Sequence, residues 1–81
     1  MDKLLEHNTA LRENFSSVWS VKEAIAEDNL EDAIMYWYEL PEHIQRALWV
    51  APSKGGIFTT EERKIMKSDE WSRIRRKELE L

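Results

Sequence analysis

Apolar residues return every three or four positions along most of the chain, the period of helices with one face turned inward. Leu4, Leu11 and Phe15 recur at intervals of seven and four, with Leu5 beside them, and predict a first helix over about residues 2–15 with that stripe inward. Ser16 and Ser17 interrupt the pattern. Ser20 followed by Glu23 has the form of a capping box, in which the serine oxygen accepts a backbone N–H and the glutamate reaches back. A short second helix over about 21–27, with Val21, Ala24 and Ile25 inward, follows from it; the alternative is a helix continuous with the first. Strand-like alternation is confined to Val18-Trp19-Ser20-Val21.

Asp28-Asn29 is a turn, and Asn29 is placed to cap a third helix over about 30–39, whose first turn carries Glu31 and Asp32. Leu30, Ala33, Ile34 and Trp37 form its inner face, and Met35, Tyr36 and Tyr38 predict that burial extends around much of its circumference. Pro41 disfavours helix at Leu40 and suits a new first turn, so a fourth helix runs about 41–50, with Ile44, Ala47, Leu48 and Trp49 inward, to a stop at Pro52. Pro52 and Gly55-Gly56 make the one real loop, with a positive φ expected at one glycine. Ile57 and Phe58 should fold back onto the core, Phe58 as a hydrophobic staple before a Thr59–Glu62 capping box. The fifth helix covers about 60–67, with Ile65 and Met66 inward. Ser68-Asp69 opens a sixth, about 69–78, with Trp71 and Ile74 on one face and a fraying end at Glu78-Leu79-Glu80-Leu81.

The expected architecture is therefore all-α: one compact domain spanning 1–81, a bundle of five to six short helices with a single Pro/Gly loop at 51–58. Length limits what it can hold, since a domain of 81 residues buries only about 60% of its unfolded surface and has roughly 5 kcal/mol or less of stability. The four tryptophans, Trp19, Trp37, Trp49 and Trp71, help such a small core, each ring burying on the order of 200 Å². Trp71 has the most polar surroundings and is the candidate for an exposed interface anchor. The chain has no cysteine, so neither a disulfide nor a thiolate metal site is open to it. No apolar run approaches the ~20 residues of a membrane span, and Met1-Asp2-Lys3-Leu4-Leu5 lacks the order of a signal peptide. A cytoplasmic protein without membrane contact is expected.

The net charge of −4 conceals an acidic N-terminal part, up to Ser53, and a mildly basic remainder. His7 and His43 stand apart, outside any metal-ligand spacing, and no serine or threonine is paired in sequence with a histidine base; no metal, cofactor or catalytic residue is expected. Ser53-Lys54-Gly55-Gly56 lacks both the Walker pattern and its strand, leaving a turn with at most a weak anion contact at Lys54. Arg73, Arg75, Arg76 and Lys77, extended by Lys54 and Lys67, form the candidate partner surface together with Trp71. They could meet phosphates, although Glu61, Glu62, Asp69 and Glu70 are interleaved and would blunt the field, and a solvated helix end is the commoner explanation.

Residues 26–34, with Tyr36 and Pro41, resemble half of a tetratricopeptide helix pair, a single partial match that implies a helical hairpin and not an array. The run Ala47-Leu48-Trp49-Val50-Ala51-Pro52-Ser53-Lys54-Gly55-Gly56-Ile57-Phe58-Thr59-Thr60-Glu61-Glu62-Arg63 resembles a segment of small proteins encoded by phages and prophages. That resemblance implies an accessory role in an infected bacterium, in nucleic-acid processing or against host defence, and carries no catalytic residues with it. The expected function is a non-enzymatic interaction protein that binds and modulates a host or phage protein. The alternatives are direct nucleic-acid binding through the basic C-terminal helices, inhibition of a bacterial immune complex through the acidic face of residues 23–42, and homodimerisation through Tyr36, Tyr38 or Trp71.

Overall fold

Asn14 divides the first half of the chain. In the computed structural model, which describes residues 3–79, α1 (Lys3–Glu13) and α2 (Phe15–Ala26) meet there with no loop between them. Asn14 leaves helical geometry at φ −126°, ψ 29°, yet its N–H still reaches the Ala10 carbonyl at 3.0 Å and its own carbonyl accepts from Val18 at 3.0 Å. Its side-chain amide donates to the same Ala10 carbonyl at 3.0 Å, a local bond that competes with the helix ladder. The interruption therefore falls at Asn14 and not at Ser16-Ser17. Ser20 lies inside α2 and caps nothing, so the expected helix over 21–27 begins six residues earlier, at Phe15.

The predicted inner stripe is also displaced. α1 and α2 bury His7, Ala10, Val18, Val21, Ala24 and Ile25, a helical spacing within each helix, with a step of eight residues from Ala10 to Val18 across the Asn14 junction. Leu4, Leu5 and Phe15 are exposed and Leu11 is half-buried. A stripe of large residues had the right period but the wrong phase, because the true inner positions of α1 are a histidine and an alanine.

α2 ends in a reversal closed by Asp28, the one described non-glycine residue with positive φ (59°). The Asn29 N–H returns to the Ala24 carbonyl at 2.8 Å, the long bond of a Schellman cap, in which aspartate tolerates the left-handed position usually held by glycine. Asn29 then caps α3 (Leu30–Tyr38), its Oδ1 accepting from the Asp32 N–H. α3 buries Leu30, Ala33, Ile34 and Trp37 between α2 and α6. Met35 and Tyr36 are exposed, so its inner face is narrower than the sequence pattern suggested.

Pro41 precedes α4 (Glu42–Leu48) as its N-cap, and the Gln45 side-chain amide donates to the carbonyls of Trp37 (3.2 Å) and Leu40 (3.0 Å), satisfying acceptors freed at the end of α3. α4 stops at Leu48, short of Pro52. Pro52–Lys54 form a 3₁₀ turn, and Gly55 takes the expected positive φ of 92°. Gly56 is needed for a different reason: a Cβ there would lie 1.9 Å from the Val50 carbonyl oxygen. The doubled-back loop drives Phe58 into the core, fully buried and edge-on to Trp37 at 5.4 Å.

Two long-range ties hold this loop at Ile57. Its N–H donates to Nε2 of buried His7 at 3.1 Å, while His7 Nδ1 donates to the Ala47 carbonyl at 3.1 Å, so both ring nitrogens are used and one tautomer is selected. The Ile57 carbonyl accepts from Lys22 Nζ at 2.9 Å, and the same ammonium pairs with Glu62 at 2.5 Å. Glu62 belongs to the capping box that opens α5 (Thr60–Met66), complete as the sequence predicts. Ser68 Oγ accepts from the Trp71 N–H at 3.2 Å at the start of α6 (Asp69–Leu79). Glu80 and Leu81, part of the expected fraying end, lie outside the described residues. The whole is a single small all-α domain.

Candidate functional site

The predicted anchor is not on the surface. Trp71 is 2% exposed, seated in the core with its indole N–H directed to the Tyr38 hydroxyl at 3.5 Å. Its polar sequence neighbours misled because they occupy the opposite side of α6. Trp71 and Ile74 turn toward the core, while Arg73, Arg76 and Lys77 face solvent. Arg75 is exposed but lies along the protein, its guanidinium 5.0 Å from the centre of the Tyr38 ring. Trp71 is thereby corrected from partner anchor to core residue, and Tyr38, half-buried beneath Arg75, presents no free ring for a homodimer.

The remaining basic residues stand on three different elements. α6 packs on α3, whereas Lys54 sits in the loop whose Gly55 approaches Leu4 of α1. Lys67 is exposed at the end of α5. Arg63 is withdrawn, its guanidinium 4.6 Å from the centre of the Trp49 ring and its Nε buried without a hydrogen-bond partner.

The exposed aromatic surface lies instead on α2. Phe15 and Trp19, one turn apart, stack with centroids 5.4 Å apart and planes 16° from parallel, and they are 53% and 43% exposed. Of the four tryptophans, only Trp19 is presented this way: Trp37 and Trp71 are buried, and Trp49 is half-buried under Arg63. Helical spacing accounts for this only when the inner face is known. Once Val18, Val21 and Ile25 are taken as the inner positions of one helix, Phe15 and Trp19 fall to its side with Ser16 and Glu23.

Carboxylates face outward from α2 and from the segments that follow it, through α3 to the start of α4. Glu23, Glu27, Asp28, Glu31, Asp32, Glu39 and Glu42 are all exposed, and no lysine or arginine occurs from residue 23 to residue 45. Arg46 hydrogen-bonds Glu42 and adds its charge, holding that carboxyl below the usual carboxylate range. Among the described residues none of the other six is ion-paired. Ser20, Glu23, Glu27, Asn29, Asp32 and Tyr36 line a hollow of about 170 Å³ between α2 and α3.

A larger groove of about 500 Å³ runs between α1 and α4, over Ala10, Ile44 and Ala47. Thr9, Glu13 and His43 stand on its rim, but among the described residues no hydrogen bond joins them. His43 is exposed, as its place in a first turn predicts. Among the described residues no three histidine, cysteine or acidic side chains are grouped to hold a metal ion, and no helix is long and apolar enough to cross a membrane. No protein-family model, no curated protein and no solved structure matches the chain.

Proposed function

We propose that the chain is a small non-enzymatic interaction protein of the phage accessory type, which binds a partner protein through the outer face of α2 and thereby modulates it. One observation carries this: the stacked, half-exposed Phe15–Trp19 pair. Large aromatic rings left in water forgo burial worth roughly 2 kcal/mol each, and in a domain with little stability to spare that is a poor use of them unless a partner covers them. Tryptophan flanked by polar residues is also the side chain most enriched among interface anchors. The partner class that fits best is a bacterial or phage protein that handles nucleic acid, a component of an immune complex included.

The test is affinity capture from the host bacterium with the wild-type chain and with the Phe15→Ser/Trp19→Ser variant, followed by assay of the captured protein's own activity. The expected result is one protein retained by the wild type, lost from the variant, and altered in activity when bound. Capture that is unchanged in the variant, with circular dichroism showing an intact fold, would refute the assignment.

A second reading has its own observation: Arg73, Arg76 and Lys77 all face solvent on α6. If they bind phosphates directly, a gel shift at low salt detects a complex with DNA or RNA that weakens steeply as salt rises and disappears in Arg73→Ala/Arg76→Ala.

A further inference from the structure

The outer face of α2 is unpartnered within the chain, and its surroundings define what can cover it. Trp19, Glu23 and Glu27 follow one another at intervals of four along the same side of the helix. Beyond Glu23 and Glu27 opens the hollow between α2 and α3, closed on its far side by Asp32 and Tyr36. Lys22 lies 5.8 Å from the centre of the Trp19 ring but is already bound to Glu62 and to the Ile57 carbonyl, with a side chain only 14% exposed. The face thus pairs an aromatic ledge with an acidic hollow, and among the described residues no basic side chain is ion-paired to its carboxylates.

We infer that the occupant of this face is an arginine-bearing amphipathic segment of another protein, an inference that rests on the protein-binding reading of α2. Its apolar side chains cover Phe15 and Trp19, and an arginine enters the hollow. Arginine fits better than lysine. A planar guanidinium engages two carboxylates through its fork of donors and stacks on an aromatic ring, and Glu23, Glu27 and Tyr36 supply those groups. A nucleic acid is disfavoured here, because its phosphates would meet uncompensated carboxylates. The partner surface would then be one that itself attracts phosphates, so this chain and a nucleic acid would compete for it.

The inference is testable without knowing the partner. The probe is an 18-residue helical peptide of leucines and arginines in amphipathic register, with a matched peptide in which citrulline replaces every arginine, removing charge while keeping shape. Binding is followed by ¹H–¹⁵N NMR of the full chain, reading the Trp19 indole and the amides of residues 19–36. The expected result is that the arginine peptide binds about tenfold more tightly or better, the ratio given by a difference of about 1.4 kcal/mol. Its shifts should centre on Trp19, Glu23, Glu27 and Tyr36. Glu23→Gln/Glu27→Gln removes the tenfold margin, and the charge-matched Glu61→Gln/Glu70→Gln retains it.

Equal binding of both peptides at Trp19 would overturn the arginine assignment and leave the protein-contact reading standing. Absence of any shift on α2 with either peptide would overturn both. Light scattering of the chain alone covers the remaining occupant: self-association abolished by Phe15→Ser/Trp19→Ser would replace the foreign segment with a second copy.

Discussion

Two aromatic pairs in this molecule have the same separation and opposite fates. Trp37 and Phe58 meet at 5.4 Å edge-on, at the centre of the core. Phe15 and Trp19 also lie 5.4 Å apart, stacked, on the outside of α2. Ring contact by itself is worth only about 0.5–1.5 kcal/mol, so the geometry of the pair is not what separates them. The difference lies in what surrounds each pair. Phe58 is sealed on all sides, partly by Lys22, whose ammonium lies 5.4 Å from its ring centre. The outer pair has α2 beneath it and water above. The first pair belongs to the core, and the second is left at the surface.

That division can be broken experimentally. The largest effect is expected at the inner pair: Phe58→Ala should cost about 4 kcal/mol, close to all the stability a chain of this size has, and urea titration should find much of it unfolded. His7→Ala comes next, at about 3 kcal/mol, from a lost side-chain volume and a stranded Ile57 N–H and Ala47 carbonyl; the same titration measures it. Lys22→Met keeps the aliphatic stem but leaves Glu62 without its ammonium, in a pair only 14% and 16% exposed. A loss of about 2 kcal/mol is expected, and Glu62→Gln in the same chain should restore part of it.

At the outer pair, Phe15→Ser/Trp19→Ser should change stability by less than about 1 kcal/mol while removing partner binding. A loss as large as that of Phe58→Ala would erase the distinction between the two pairs. The smallest effect concerns the exposed Glu42–Arg46 pair. Its bond and charge keep the folded Glu42 carboxyl below its unfolded value. The associated stability is present above the unfolded pKa and is lost as pH falls through the folded one. Arg46→Ala should raise the Glu42 midpoint toward the ordinary carboxylate value in an NMR pH titration, with no measurable change in thermal midpoint.

The contrast also shows where sequence reading succeeded. Asn29, Thr59–Glu62 and Ser68 were legible as helix starts because a cap is a local bond, made between residues three apart or fewer. Trp71 and Phe15 were misplaced because helical spacing defines a face without saying whether it points inward. On α1 and α2 the large residues Leu4, Leu11 and Phe15 outweighed His7 and Ala10, although the small and polar pair occupies the core. On α6 the charges that neighbour Trp71 in sequence belong to the other side of the helix.

Periodicity, caps and turn residues by themselves determined an all-α chain, the α2–α3 reversal at Asp28-Asn29, the Gly55 turn and the return of Phe58 to the core, since each follows from bonds and sterics within a few residues. Only the tertiary structure decided that Ile57 is held from both sides by His7 and Lys22, that Trp71 is buried, and that Phe15 and Trp19 remain outside. These depend on which faces find a neighbour across 30 to 50 residues of chain, and a limited core can cover only some of the apolar faces that local spacing offers it.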